Sequence, residues 1–162
     1  MAELTVLESK VGEVLGLAMA AQQATEKVMK LVEEEGLKRE LQEVHDDAAQ
    51  IEERCTDVAD EFDGKKTAIL EKARETKQEV AEMMKTYLGP DADALDGFEF
   101  LTMAEAAELG HWSVVGQLNQ SARHSRLQEV VDWALPLQQK HLDRALQGSL
   151  ELAAKEDPQG PA

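Results

Sequence analysis

The chain has 162 residues, 43% of them apolar and 31% charged, with only four prolines and ten glycines. That is the composition of one folded domain, and the disordered class is excluded. Seventeen Lys and Arg stand against 33 Asp and Glu, and the resulting net charge of −16 repels nucleic-acid phosphates and anionic membranes alike.

Alanine, leucine, glutamate, glutamine and lysine dominate, all strong helix formers, and no run alternates β-branched and polar residues as a strand would. The fold class is therefore all-α. From Glu3 to Glu35 the apolar residues Leu4, Leu7, Val11, Leu15, Ala18, Met29 and Val32 mark one helix face, and Gly36 is expected to end it. At 1.5 Å per residue such a helix spans roughly 50 Å. A second helix follows on the stripe Leu37, Leu41, Val44, Ala48, Ile51, Cys55, Val58 and Phe62, and stops at Asp63-Gly64. So short a turn makes the first two helices antiparallel.

Lys65 to Leu88 is helical in composition but carries six cationic and four acidic residues, a net of +2. Gly89-Pro90 and the Asp-rich run to Gly97 break it. This segment reads as a connection along the outside of the bundle, its basic face against acidic neighbours. The third long helix covers Phe98 to Asn119, with Leu101, Ala104, Glu108, His111, Val115 and Leu118 as its inward stripe. The fourth covers His124 to Glu156, with Leu127, Val131, Ala134, Gln138, His141, Ala145 and Leu152 inward, and Pro136 is expected to kink it. One domain over 1–157 and a flexible tail over 158–162 complete the reading. Cys55 falls on an apolar stripe as a lone buried thiol. The absence of a long apolar run or a leader pattern after Met1 makes the cytoplasm the expected location.

The chemistry lies in polar residues on these stripes. Glu108 and His111, Gln138 and His141, and Gln42 and His45 each sit three residues apart, so each pair shares one helix face. A buried ion needs several converging oxygen and nitrogen donors, and helical bundles supply them through such pairs on facing helices. Carboxylate with imidazole suits iron, manganese or zinc.

The order of two long helices, a long crossover and two more long helices resembles the ferritin-like superfamily across essentially the whole chain. Gly64-Lys-Lys-Thr-Ala-Ile-Leu, Met83-Met-Lys-Thr-Tyr-Leu-Gly and Ala134-Leu-Pro-Leu-Gln-Gln-Lys-His are similar to stretches of uncharacterised bacterial ferritin-like proteins. The resemblance implies a four-helix bundle with a partly helical crossover. The di-iron carboxylate members of that superfamily carry one glutamate on the first helix, Glu-x-x-His on the second, one glutamate on the third and Glu-x-x-His on the fourth. Carried over residue by residue, His45 takes the second-helix histidine, Glu108 the third-helix glutamate and His141 the fourth-helix histidine. Gln42 and Gln138 stand where glutamates belong; Gln22, Gln23 or Glu26 is left for the first helix, and His111 is additional. With one clear carboxylate, a single divalent ion on Glu108, His45, His111 and His141 is chemically easier than a di-iron pair. Three expectations remain open. One is an atypical or degraded metal site handling oxygen or peroxide. Another is a metal-free core whose amides and imidazoles bond to each other. The third is an interaction module, a homodimer using Trp112 and Trp133, which lie beside the inward stripes.

Overall fold

The computed structural model describes residues 2–161. Five helices account for nearly all of them: α1 Val6–Met29, α2 Glu35–Asp60, α3 Lys66–Tyr87, α4 Ala94–Ala122 and α5 Ser125–Ala153. No strand occurs among the described residues. Met1 of the expected domain and Ala162 of the expected tail lie outside them.

The segment expected to be helical over Lys65 to Leu88 is one uninterrupted helix, Lys66–Tyr87, so the described residues hold five helices, four long ones of the expected order and α3 between them. α3 buries Ala68, Ile69, Ala73 and Thr76, and its main neighbour is α1. The approach is close because α1 offers Gly12 and Gly16, one turn apart, to it. A Cβ on Gly16 would collide with the Ala73 carbonyl oxygen and lie 2.7 Å from Thr76 Cβ, and one on Gly12 would lie 2.8 Å from Lys72 Cβ. α1 also packs on α2 and α4, and α5 packs on α4 and α2. α1 is thus central, which is why Val11, Val14, Leu15, Ala18, Ala21, Ala24 and Val28 are all buried around it.

Helix ends follow local chemistry. Thr5 with Glu8 and Asp93 with Asp96 form reciprocal capping boxes at the starts of α1 and α4. α1 stops at Met29, short of the expected Glu35, and Gly36 lies inside the first turn of α2. The turn after α2 uses Gly64 at φ +69. Between α4 and α5, Arg123 takes the left-handed conformation while the Asn119 side chain bonds the backbone of His124 on both sides. His124 then caps α5 and stacks on Phe62 at 4.8 Å. α5 runs through Pro136 without interruption.

The core falls into two hydrophobic clusters. One joins Val11 to Ala18, Ile51 to Ala59, Trp112, Val115 and Leu127 to Ala134. The other joins Ala24 to Val32, Leu37, Leu41, Phe98 to Leu101, Ala145 and Leu152. Between them, at mid-height, the interior turns polar. No described helix is long and apolar enough to cross a membrane.

Candidate functional site

Three helices supply a polar layer in the core. Glu105 and Glu108 come from α4, Gln138 and His141 from α5, and Asp47 from α2; all but Asp47 are buried. Glu105 and Glu108 are one turn apart on the face that also carries Leu101, Trp112, Val115 and Asn119. Folding that apolar face inward therefore drags two carboxylates with it.

The hydrogen bonds form a directional chain. His141 Nε2 lies 2.9 Å from Asp47 Oδ2 and Nδ1 lies 2.9 Å from Gln138 Oε1. With the Gln138 amide in this orientation both partners accept, and the ring bonds to both as an imidazolium that donates twice. Gln138 then donates from Nε2 to Glu108 Oε2 at 2.5 Å. Glu105 Oε2 lies 3.6 Å from His141 Nδ1, beyond hydrogen-bond reach, and has no other partner.

Charge explains the protonation states. Burial pulls the His141 pKa down, but the carboxylates of Glu105 and Asp47 outweigh it and hold the value above the ordinary one. For Glu108, burial and the neighbouring Glu105 charge push the carboxyl well above its usual range, against the opposing bond from Gln138. Three carboxylates and one imidazole thus share too few positive charges, and protons make up the difference.

Beside this layer lies a cavity of about 280 Å³ between α1, α3 and α4. Leu17, Ala20, Ala21 and Ala24 form its α1 wall, Thr76, Val80 and Met83 its α3 wall, and Phe100, Leu101 and Met103 part of its α4 wall. Glu105 and Glu108 line it too, with Glu79 and His111. Two buried carboxyl side chains, Glu108 with its pKa pushed up, beside a mainly apolar cavity are features of a binding site.

The sequence-expected site residues divide. Glu108, Gln138 and His141 come together as expected. His45 does not join them: its side chain pairs with the exposed Glu26 at 3.0 Å on the α1–α2 flank. Gln42 is exposed and bonds Asp46. Both follow a buried stripe residue, Leu41 or Val44, and one residue rotates a side chain about 100° around the helix. Gln22 bonds Glu52 of α2 rather than the polar layer, and its neighbour Gln23 is exposed. His111 is half-exposed, with Nδ1 donating to the Ala107 carbonyl and Nε2 3.5 Å from Glu13. The expected α4 stripe alternated wrongly, because Glu105 and Trp112 face inward in place of Ala104 and His111. Trp112 carried the missing signal: the largest apolar side chain of α4 belongs on the seam, and that register places Glu105 there as well. Asp47, beside the buried Ala48, had no such marker.

Among the described residues no three His, Cys, Asp or Glu side chains are arranged to hold a metal ion. Comparisons with protein-family models, with curated proteins and with solved structures return no match.

Proposed function

We propose that α1, α2, α4 and α5 form a ferritin-like bundle with α3 as its crossover. On this reading the inter-helix metal site has degraded into a proton-holding network, and the chain works as a binding protein for a small molecule in the adjacent cavity. The observation that carries it is the placement of the buried Glu105 and Glu108 on the wall of a mainly apolar cavity of about 280 Å³. Where the superfamily pattern asks for a glutamate on the first helix, the α1 residues lining the cavity are Leu17 and the alanines Ala20, Ala21 and Ala24. Their small side chains leave room that a ligand fills. Toluene, titrated by calorimetry and by ligand-observed NMR, tests the reading. The wild-type chain binds it, and Ala104→Phe, which fills the α4 wall, does not. Absence of toluene binding to the wild type refutes the binding role.

One observation favours a second reading. The unpartnered Glu105 oxygen lies beside Glu108 and His141 Nδ1, where one divalent iron, manganese or zinc ion would relieve the crowded negative charge. Mass-spectrometric metal content after anaerobic loading and desalting decides it: near one ion per chain, lost in His141→Ala, establishes the metal site, and none dismisses it. The dimer expectation loses its tryptophans, because Trp112 is 1% exposed inside the core and Trp133 is half-buried, its ring covered by the Arg54 guanidinium at 3.9 Å. Self-association would have to use other residues.

A further inference from the structure

We infer that two copies of this chain pair antiparallel through the outer face of α4, with Glu99 of each copy against Arg123 of the other. This pairing is independent of the small-molecule reading above.

The chain is 31% charged, yet the outer face of α4 carries no charge over about six turns. Between Glu99 and Arg123 the charged residues are Glu105 and Glu108, and both are buried. What α4 exposes instead is Met103, Ala106, Gly110, Ser113, Val114 and Gln117, which fall at helical spacing on one side of the helix. By contrast α2 exposes Arg39, Glu43, Asp46, Glu53, Arg54 and Asp57. The large hydrophobic side chains exposed among the described residues follow the same division. All but Val6 lie on α4 or on the edges beside it, with Met103 and Val114 on its face. Tyr87 of α3 meets Phe100 at 6.0 Å, and Met83 borders the cavity with Met103. Leu146 and Leu150 of α5 are next to Ser149, whose hydroxyl lies 3.3 Å from that of Thr102.

The charges at the two ends of this face decide what covers it. A chain of net charge −16 repels its own copies over most of its surface. A second copy can approach only where charge is absent or complementary, and the α4 face is both. A basic partner would be drawn to the acidic faces instead. Glu99 and Arg123 are exposed, and among the described residues neither forms an ion pair. They stand twelve residues before and twelve after position 111, about 18 Å along the axis in each direction. A two-fold axis at that point brings Glu99 of one copy to Arg123 of the other twice, as a self-complementary contact requires. Parallel helices would set like charges together. Gly110 sits at the crossing, and nothing in its own chain lies within 4 Å of where its Cβ would be. Its missing side chain answers no need inside one copy, and it lets two backbones approach closely. About 36 Å of helix by about 18 Å across the flanking edges gives roughly 650 Å² per copy. The pair then buries about 1,300 Å², within the range of about 1,200–2,000 Å² for specific interfaces.

Sedimentation velocity of the full chain, in salt high enough to screen the net repulsion, tests the pairing over a micromolar concentration series. The wild type sediments at twice the 17.9 kDa of one chain. Ala106→Glu, a good helix former at an exposed position, puts two unpaired carboxylates into the interface and gives monomer throughout; circular dichroism confirms that it is folded. Glu99→Arg and Arg123→Glu each weaken dimerisation by about tenfold, because like charges then meet twice, and the double swap restores it. A wild-type monomer throughout the series overturns the inference and leaves the α4 face to a different partner. A dimer that Ala106→Glu leaves intact overturns it too, as does a double swap that dimerises no better than the single variants.

Discussion

Replacing Glu108 with glutamine should make the protein progressively more stable than the wild type as pH rises. Glu108 is 4% exposed, its carboxyl held protonated by burial and by the charge of Glu105. Below the ordinary carboxylate range the side chain is protonated both folded and unfolded, and contributes no slope. Above it, the unfolded chain releases the proton and the folded chain keeps it. Folding then takes up a proton, so stability falls with pH until Glu108 ionises within the fold. One such group lowers the folding equilibrium constant by up to about tenfold per pH unit. In the Glu108→Gln variant the substituted amide is neutral throughout, and its carbonyl can still accept from Gln138. The ratio of the two folding constants should therefore climb by up to about tenfold per unit from about pH 5. Urea unfolding of both proteins in matched buffers between about pH 5 and pH 8 measures it. Taking the ratio removes titrating groups common to the two. A ratio that stays flat, or that falls as pH rises, refutes the argument.

Four further outcomes follow from particular contacts. His141→Ala leaves Asp47, Glu105 and Gln138 with one partner fewer in a nearly dry layer, and should cost about 3–5 kcal/mol in chemical denaturation. His45→Ala, on the flank against the exposed Glu26, should cost under about 1 kcal/mol in the same assay. Gly16→Ala drives a Cβ into the Ala73 carbonyl oxygen; displacement of α3 should cost about 1–3 kcal/mol, outweighing the gain in helix propensity, read as a fall in thermal midpoint. Cys55 is 1% exposed and burial pushes its thiol pKa far up, so a thiol reagent should label it only after unfolding. Labelling at the rate of a free thiol in the folded protein would contradict that burial.

The all-α class was legible because helix-forming residues and three-four apolar spacing agree along the whole chain. The α2 and α5 stripes were read correctly, since Leu41, Val44, Ala48 and Ile51, or Val131, Ala134, Gln138 and His141, admit only one register. α4 was ambiguous: alanines flank Glu105 and Glu108, so Ala104 and Glu105 compete for the seam and only Trp112 breaks the tie. Histidine drew attention by chemistry rather than by position, which placed His45 and His111 in a core that their own stripes exclude. The extent of α3 was legible, but its seating on α1 was hidden by its charge. A helix with a basic outer face reads as exposed, and the small residues that seat it, Gly12, Gly16, Ala68 and Ala73, carry little hydrophobic signal. Asp47 is invisible to periodicity, because it reaches His141 from beside the stripe rather than on it.

The central claim is that the inter-helix layer holds protons on His141 and Glu108 in place of a metal pair. Nitrogen-detected NMR of the His141 ring, in the full chain at about pH 6.5 with and without added zinc, tests it most directly. The account predicts an imidazolium with protons on both Nδ1 and Nε2, bonded to Gln138 and Asp47 and unchanged by zinc. A neutral ring at that pH, or stoichiometric zinc replacing a ring proton, would contradict it.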